Sequence, residues 1–362
     1  MSRSPLVALT ALLALGLAAA GPAQAQNRPR LLPLVSAAPA STSFHDRVLR
    51  SAAPATARAS AIEGATRVYT TKEGTAIPIT IAASFAGDPA VAQTYADFLG
   101  TLPHGSELAD LNVTIVPSAE VNADCGGQES DSILACYSDA QKRMIVPGDL
   151  QATAAGVTAS YVIAHEYGHH VAAHRSNAPL NAGDYGPKRW SSYELVCLKT
   201  DQRQLFPGNE TVFYRQNPGE NWAETYARLV YPQQPWTFSS LLTADAGALA
   251  AARADVQQPW TASVTRRFRG TFTADGAATR SFTLPLTLDG ALTFTLSGPK
   301  GANNDLRIVS LGKVQAQTRT AGSSDRLSYR IACRQRPTEK LTLTVQRRAG
   351  AGPFTLTARY AG

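Results

Sequence analysis

Near residue 259 the sequence changes its period, and no other feature constrains the fold as much. From Trp260 onward short alternating runs dominate, among them Ser281-Phe282-Thr283-Leu284, Leu292-Thr293-Phe294-Thr295-Leu296, Leu341-Thr342-Leu343-Thr344-Val345 and Phe354-Thr355-Leu356-Thr357. Gly, Asp and Pro separate them. A period of two with one apolar face predicts half-buried strands. Strands this short and this regularly spaced predict an all-β sandwich over residues 259–362. The region contains no histidine, and no constellation in it carries chemistry.

Before that break the texture is mixed. Strands are predicted over 68–71 and 77–82 about a Glu73-Gly74 turn, over 111–116 before Pro117, and over 143–146 before Pro147-Gly148. Helices are predicted over 88–99 with Asp88 as cap, from about 150 to 175, from 191 to about 204, and from Pro218 to Tyr231. Strands interspersed with helices predict an α+β domain over residues 66–258. Residues 26–65, rich in Ala, Pro, Ser and Arg, read as a linker or pro-segment with a short helix near 44–50.

The first 25 residues read as an address. Arg3 supplies a positive start, Leu6 to Ala20 an apolar run, and Ala23-Gln24-Ala25 a small-x-small cleavage pattern. A cleaved signal peptide predicts a secreted or cell-envelope protein whose mature chain has no transmembrane segment. Export suits the four cysteines, because oxidising compartments let disulfides persist. Cys125 and Cys136 flank Gly126-Gly127 and favour a local staple, which leaves Cys197 for Cys333; three pairings remain open from spacing alone. No CxxC pair exists to build a thiolate zinc site.

Charge divides along the same boundary. Residues 66–258 carry 12 Lys+Arg against 20 Asp+Glu, a balance of −8, whereas residues 259–362 carry 16 against 5, a balance of +11. The basic half is suited to an anionic cell surface or polymer, or to docking on the acidic half. Nucleic acid is not an expected partner, since no recognition motif is present.

Chemistry concentrates at His165-Glu166-Tyr167-Gly168-His169. Residues four apart share a helix face, so His165 and His169 can aim two imidazoles at one metal ion. Glu166 can then reach a water there as general base. The motif lies in an apolar run, and burying such groups without partners costs several kcal/mol. Gly168 costs about 1 kcal/mol against Ala in mid-helix, which predicts that another segment passes close by. His170 and His174 form a second pair, about 100° round the helix, and read as surface residues or as supports for the ligands.

A third ligand is expected downstream, where Glu220 and Glu224 share a face of an otherwise apolar helix. Glu220 is assigned as the metal ligand and Glu224 as the acceptor of a ligand histidine's outward N–H; the reverse assignment remains open. Tyr214 is the first candidate for holding the oxyanion, with Tyr226 and His174 behind it.

Together these two helices resemble the gluzincin type of zincin metallopeptidase. That resemblance implies an α+β zincin-like catalytic domain, Zn2+ held by His165, His169 and Glu220, and a peptide or protein substrate. The C-terminal region resembles the pre-peptidase C-terminal domain, on the Asp305 to Val309 strand and on Phe354 to Thr357 entered through Gly350-Ala351-Gly352-Pro353. The expected function is therefore a secreted zinc metalloendopeptidase. The competing expectation is a secreted binding or adhesion protein in which a structural zinc staples two helices and the basic sandwich does the binding. A zinc hydrolase acting on something other than peptides satisfies the motif equally.

Overall fold

The computed structural model describes residues 46–49, 62–128, 133–148, 158–233, 238–337 and 339–362. The expected signal peptide and most of the expected linker or pro-segment lie outside these residues. Among the described residues no helix is long and apolar enough to cross a membrane.

The N-terminal region is a mixed sheet covered by helices. Its strands are β1 (Asp46–Leu49), β2 (Gly64–Thr70), β3 (Ala76–Ala82), β4 (Asn112–Val116), β5 (Ala135–Ser138) and β6 (Arg143–Pro147), in the spatial order β1-β5-β6-β4-β3-β2. β3, β4 and β6 run parallel, while β2 and β5 pair antiparallel to β3 and β6. Ile77, Ile79, Val113, Ile115, Met144 and Val146 build the core beneath the helices. The turn at Glu73-Gly74 has Gly74 at φ +91°, a left-handed conformation that favours glycine.

The helices are α1 (Val91–Thr101), α2 (Ser118–Asp124), α3 (Ala159–Ala173), α4 (Ala182–Tyr185), α5 (Lys188–Tyr193), α6 (Val196–Asp201), α7 (Pro218–Arg228) and α8 (Ala246–Gln257). Three expectations fail. α1 begins at Val91 with Ala90 at its cap rather than Asp88, whose Oδ1 accepts from Ala90 N at 2.8 Å in the turn before the helix. Asp46–Leu49, read as helical, is a strand, because parallel pairing with β5 satisfies its backbone. The single helix expected from 191 is broken into α5 and α6, since Leu195 takes φ +54° and no α-helix continues through a left-handed residue.

Beyond Trp260 two four-stranded antiparallel sheets pack face to face. One has the order β11-β10-β13-β8 and the other β12-β9-β14-β7, with β7 (Val264–Phe272), β8 (Thr279–Leu286), β9 (Gly290–Ser297), β10 (Asn303–Ser310), β11 (Lys313–Gln317), β12 (Ser324–Ala332), β13 (Glu339–Ala349) and β14 (Gly352–Tyr360). Alternation puts Leu292, Phe294 and Leu296 inside with Leu341, Leu343, Phe354 and Leu356, while their neighbours face out. β11 and β12 go beyond the strands expected from the alternation.

The sandwich is bonded to the N-terminal region. Disulfides join Cys125 to Cys136 and Cys197 to Cys333, the second linking α6 to the end of β12. Beside it Lys188 Nζ donates to the carbonyls of Ala178 (2.8 Å) and Asp289 (3.1 Å) and lies over the Trp260 ring. The Arg334 guanidinium donates to Ser192 O, and the Asp289 N–H donates to Ser192 Oγ at 2.9 Å. Burial pushes the Lys188 ammonium down to about 8 and the Asp289 carboxyl up to about 6.

Candidate metal centre

Two helices cross to form the site. α3 begins at Thr158, whose hydroxyl accepts from Tyr161 N at 3.2 Å. α7 begins at Asn217, whose side chain accepts from Gly219 N, with Pro218 in the first turn. They meet at Gly168: a Cβ there would lie 2.9 Å from Ala223 Cα and 3.0 Å from Tyr226 Cβ. The Trp222 indole N–H locks the crossing by donating to Gly168 O at 2.8 Å. The close passage expected at Gly168 is present.

This crossing brings His165, His169 and Glu220 together. One ligand atom from each lies within 4.8 Å of the other two. Glu220 Oε2 is 3.3 Å from Nε2 of both imidazoles, and the imidazole centroids are 5.0 Å apart. All three side chains are buried, Glu220 completely. Glu220 Oε1 accepts no hydrogen bond and His169 Nε2 makes none, so the donors converge on one point with capacity left over. Buried polar atoms are normally satisfied. Two imidazole nitrogens and a carboxylate oxygen therefore fit a divalent cation of intermediate softness. Burial by itself would push the Glu220 carboxyl up, but the charge of His169 and the close approach of both imidazoles to Oε2 outweigh it and hold it far below the usual carboxylate range. The position favours positive charge.

Glu224 sits one turn further along α7, on the other side of the same imidazole. Its Oε2 lies 3.4 Å from His165 Nδ1, and its Oε1 accepts from the Tyr161 hydroxyl at 2.5 Å. Of the two carboxylates, Glu220 faces the convergence point and Glu224 faces the back of the ring. Glu166 is fully buried at the next position on α3.

Two contributors go beyond the residues expected from the motif. Tyr161 lies four residues before His165, so Tyr161, His165 and His169 form one stripe on α3, a spacing that identifies it. Phe238 stacks on His165 with centroids 5.9 Å apart; it arrives from far along the chain and carries no local signal.

Tyr214 is buried and packs on Phe238, the ring that stacks on His165, with ring centroids 5.5 Å apart. The Tyr226 hydroxyl is committed to Pro103 O at 2.5 Å. His174 Nδ1 lies 2.8 Å from His170 O and its Nε2 3.4 Å from Asp110 Oδ2, at the far end of α3. His170 is not a surface residue. It is fully buried, with Nε2 2.8 Å from Glu107 O and Nδ1 3.0 Å from the Tyr137 hydroxyl, and burial pushes its imidazole down to about 4. Arg175 is likewise structural, donating to Glu107 Oε2 at 3.0 Å and Asp255 O at 2.7 Å and so tying α3 to α8.

No family model matches the sequence, and no curated protein matches it. Among solved structures, the pre-peptidase C-terminal domain of a Bacillus anthracis collagenase is similar at 12% identity and TM-score 0.20, covering 26% of this chain and 89% of that one. Latent dimeric PorU of Porphyromonas gingivalis is similar at 10% identity and TM-score 0.17, covering 29% of this chain and 13% of that one. PliG of Aeromonas hydrophila, a periplasmic inhibitor of g-type lysozyme, is similar at 11% identity and TM-score 0.17, covering 27% and 84%. At these scores the likenesses are too distant to carry function.

Proposed function

We propose that the protein is an exported, zinc-dependent peptidase in which His165, His169 and Glu220 hold the metal and Glu166 is the general base. One observation carries this reading: two imidazole nitrogens and a carboxylate converge within 4.8 Å on a pair of crossed helices. Three such ligands leave a coordination position for water or substrate, as catalytic zinc sites require. The four cysteines are consumed in disulfides and supply no thiolate. Those disulfides, with the apolar N-terminal address, also support export.

Bound there, zinc supplies a Lewis acid and acidifies a water towards neutrality. The other tasks fall to the chain. Glu166 takes a proton from the attacking water onto its carboxylate and returns it to the leaving amine. Glu224 accepts from His165 Nδ1–H, which keeps that imidazole in the tautomer presenting Nε2. Tyr161, donating to the other oxygen of Glu224, holds that carboxylate in place. Phe238, stacked on His165, shields one side of the site from water.

A second reading has its own support. His165 is 3% exposed, His169 4% and Glu220 0%, burial that also suits a structural ion stapling α3 to α7. In that case the basic sandwich would carry the protein's role as a binding or adhesion module. Cleavage of a diverse peptide library by the zinc-loaded wild type and by Glu166→Gln separates the two. Cleavage by wild type alone, at equal zinc content, supports the peptidase. Zinc binding with no cleavage by either assigns a structural ion, and turnover retained in zinc-loaded Glu166→Gln removes Glu166 from its role.

A further inference from the structure

The strand register assembles a surface that none of the chemistry above uses. In the sheet β12-β9-β14-β7, Arg326, Thr295, Thr357 and Arg267 lie in one row across the four strands. All four lie on the outward side, alternating with the buried Phe294, Leu296, Leu356 and Phe268. The row on one side ends in Arg269, the row on the other carries Arg359, and every remaining outward position of the three rows is Ser or Thr. These three rows thus present four arginines and eight hydroxyls, with no acid and no apolar side chain, and Pro353 and Ala291 flank them on the same side.

The four arginines are exposed, and among the described residues none forms an ion pair. The N-terminal region leaves this face clear: it meets the sandwich at the strand ends, where Lys188 reaches Asp289 and Ser192 meets Arg334. A uniformly cationic sheet face repels copies of itself and attracts anions.

We infer that this face binds a linear anionic polysaccharide, one bearing carboxylate or sulfate groups. A guanidinium grips either group through two parallel N–H donors. Hydroxyls both donate and accept, and so match the hydroxyls of sugar rings between charges. Arg267 and Arg269 are roughly 7 Å apart along β7, and Arg326 stands roughly 14 Å across the sheet from Arg267. Charge distributed over that span suits an extended chain rather than one small anion. A membrane surface fits less well, because the three rows offer no large apolar side chain to insert below the headgroups. Single-stranded nucleic acid fits less well too, since no ring is available for bases to stack on. The inference is independent of the zinc site.

The test uses the full protein against polygalacturonate and dextran sulfate, with neutral dextran, anionic phospholipid vesicles and DNA as comparisons. Arg267→Ser with Arg269→Ser is expected to weaken binding to the two polyanions about tenfold or more, as loss of two charge-assisted contacts should. Arg307→Ser with Lys340→Ser removes the same charge from the other sheet and is expected to change binding less than about threefold by losing long-range attraction alone. Arg359→Ser repeats the test from another strand, and unchanged thermal unfolding verifies that each variant is folded. Equal losses in the two double variants, or none in the first, would overturn the face as the site. Tighter binding to vesicles, DNA or neutral dextran would overturn the choice of partner.

Discussion

Gly168 and Ala223 are in backbone contact: a Cβ on Gly168 would sit 2.9 Å from Ala223 Cα, with Tyr226 Cβ at 3.0 Å behind it. Gly168→Ala would gain about 1 kcal/mol of helix propensity. The obstacle is backbone, however, so α3 and α7 would have to move apart. Overpacking of this kind costs about 1–3 kcal/mol and would outweigh the gain. The expected result is a net loss of stability together with weaker zinc binding, because the same crossing sets the distance from Glu220 to both imidazoles. A thermal melt and a zinc titration check it, and a variant at least as stable as wild type would show that the helices can give.

Glu220 and Glu224 are one turn apart on α7 but face opposite sides of His165. Glu220→Gln is expected to abolish tight zinc binding by removing a ligand. Glu224→Gln is expected to weaken it about 10- to 100-fold, the usual effect of losing the partner that orients a ligand histidine. Titration against a competing chelator measures both. A larger effect from Glu224→Gln than from Glu220→Gln would reverse the assignment.

Asp289 gives the seam between the sandwich and the helical region a pH dependence. Burial pushes its carboxyl up to about 6, with the Arg334 backbone and guanidinium opposing it, and its Oδ2 accepts no hydrogen bond. A folded-state value raised above the unfolded one means stability fully present below about pH 4 and lost as pH rises through about 6. At neutral pH the ionised, buried group therefore opposes folding, by an amount on the order of 2 kcal/mol. Asp289→Asn keeps an oxygen for the Arg334 N–H and removes the titration. Its stability relative to wild type is expected to be higher at pH 7 than at pH 5, measured as the difference in Tm at the two values. An unchanged difference would mean that Asp289 titrates normally.

The sequence is most informative where one physical period dominates. The alternation of Leu292, Phe294 and Leu296 locates β9 because one side of it is core. β12 is hard to read because its inward Leu327 and Tyr329 are only half-buried at the sheet's edge, so its alternation is weak. α8 is hard to read because its run of alanines has no broad apolar stripe; it is fixed instead by Asp245 accepting from Ala248 N at its start and by Asp255 accepting from Arg189 N and Trp190 N. In the site, the i, i+4 stripes on α3 and α7 are readable, and they cross as the glycine implies. Of the two roles expected for His170, surface residue or support for the ligands, the surface one fails because α3 is buried nearly all round, between the sheet and α7. Rotation about such a helix does not lead to solvent. Phe238 requires tertiary information, since nothing near it in the chain links it to His165.

The two disulfides are expected to act on different scales. Cys125–Cys136 closes a separation of 11 residues between the end of α2 and β5, within one core cluster. Cys197–Cys333 closes a separation of 136 and joins the helical region to the sandwich, packed with Ile331 and flanked by Leu180 and Leu198. Chain-entropy arguments assign roughly 3 kcal/mol to the short loop and roughly 5 kcal/mol to the long one. Location matters more than size here. Replacing Cys125 and Cys136 by serine should lower the unfolding temperature while leaving a single transition. Replacing Cys197 and Cys333 removes the only disulfide across the seam among the described residues, leaving Lys188, Asp289 and Arg334 to hold it. Those groups are buried ions whose desolvation offsets much of their attraction, so the two regions should uncouple and calorimetry should resolve two transitions in place of one. A single transition in that variant would show that hydrogen bonding at Ser192 and Asp289 is enough to make the sandwich and the helical region unfold together.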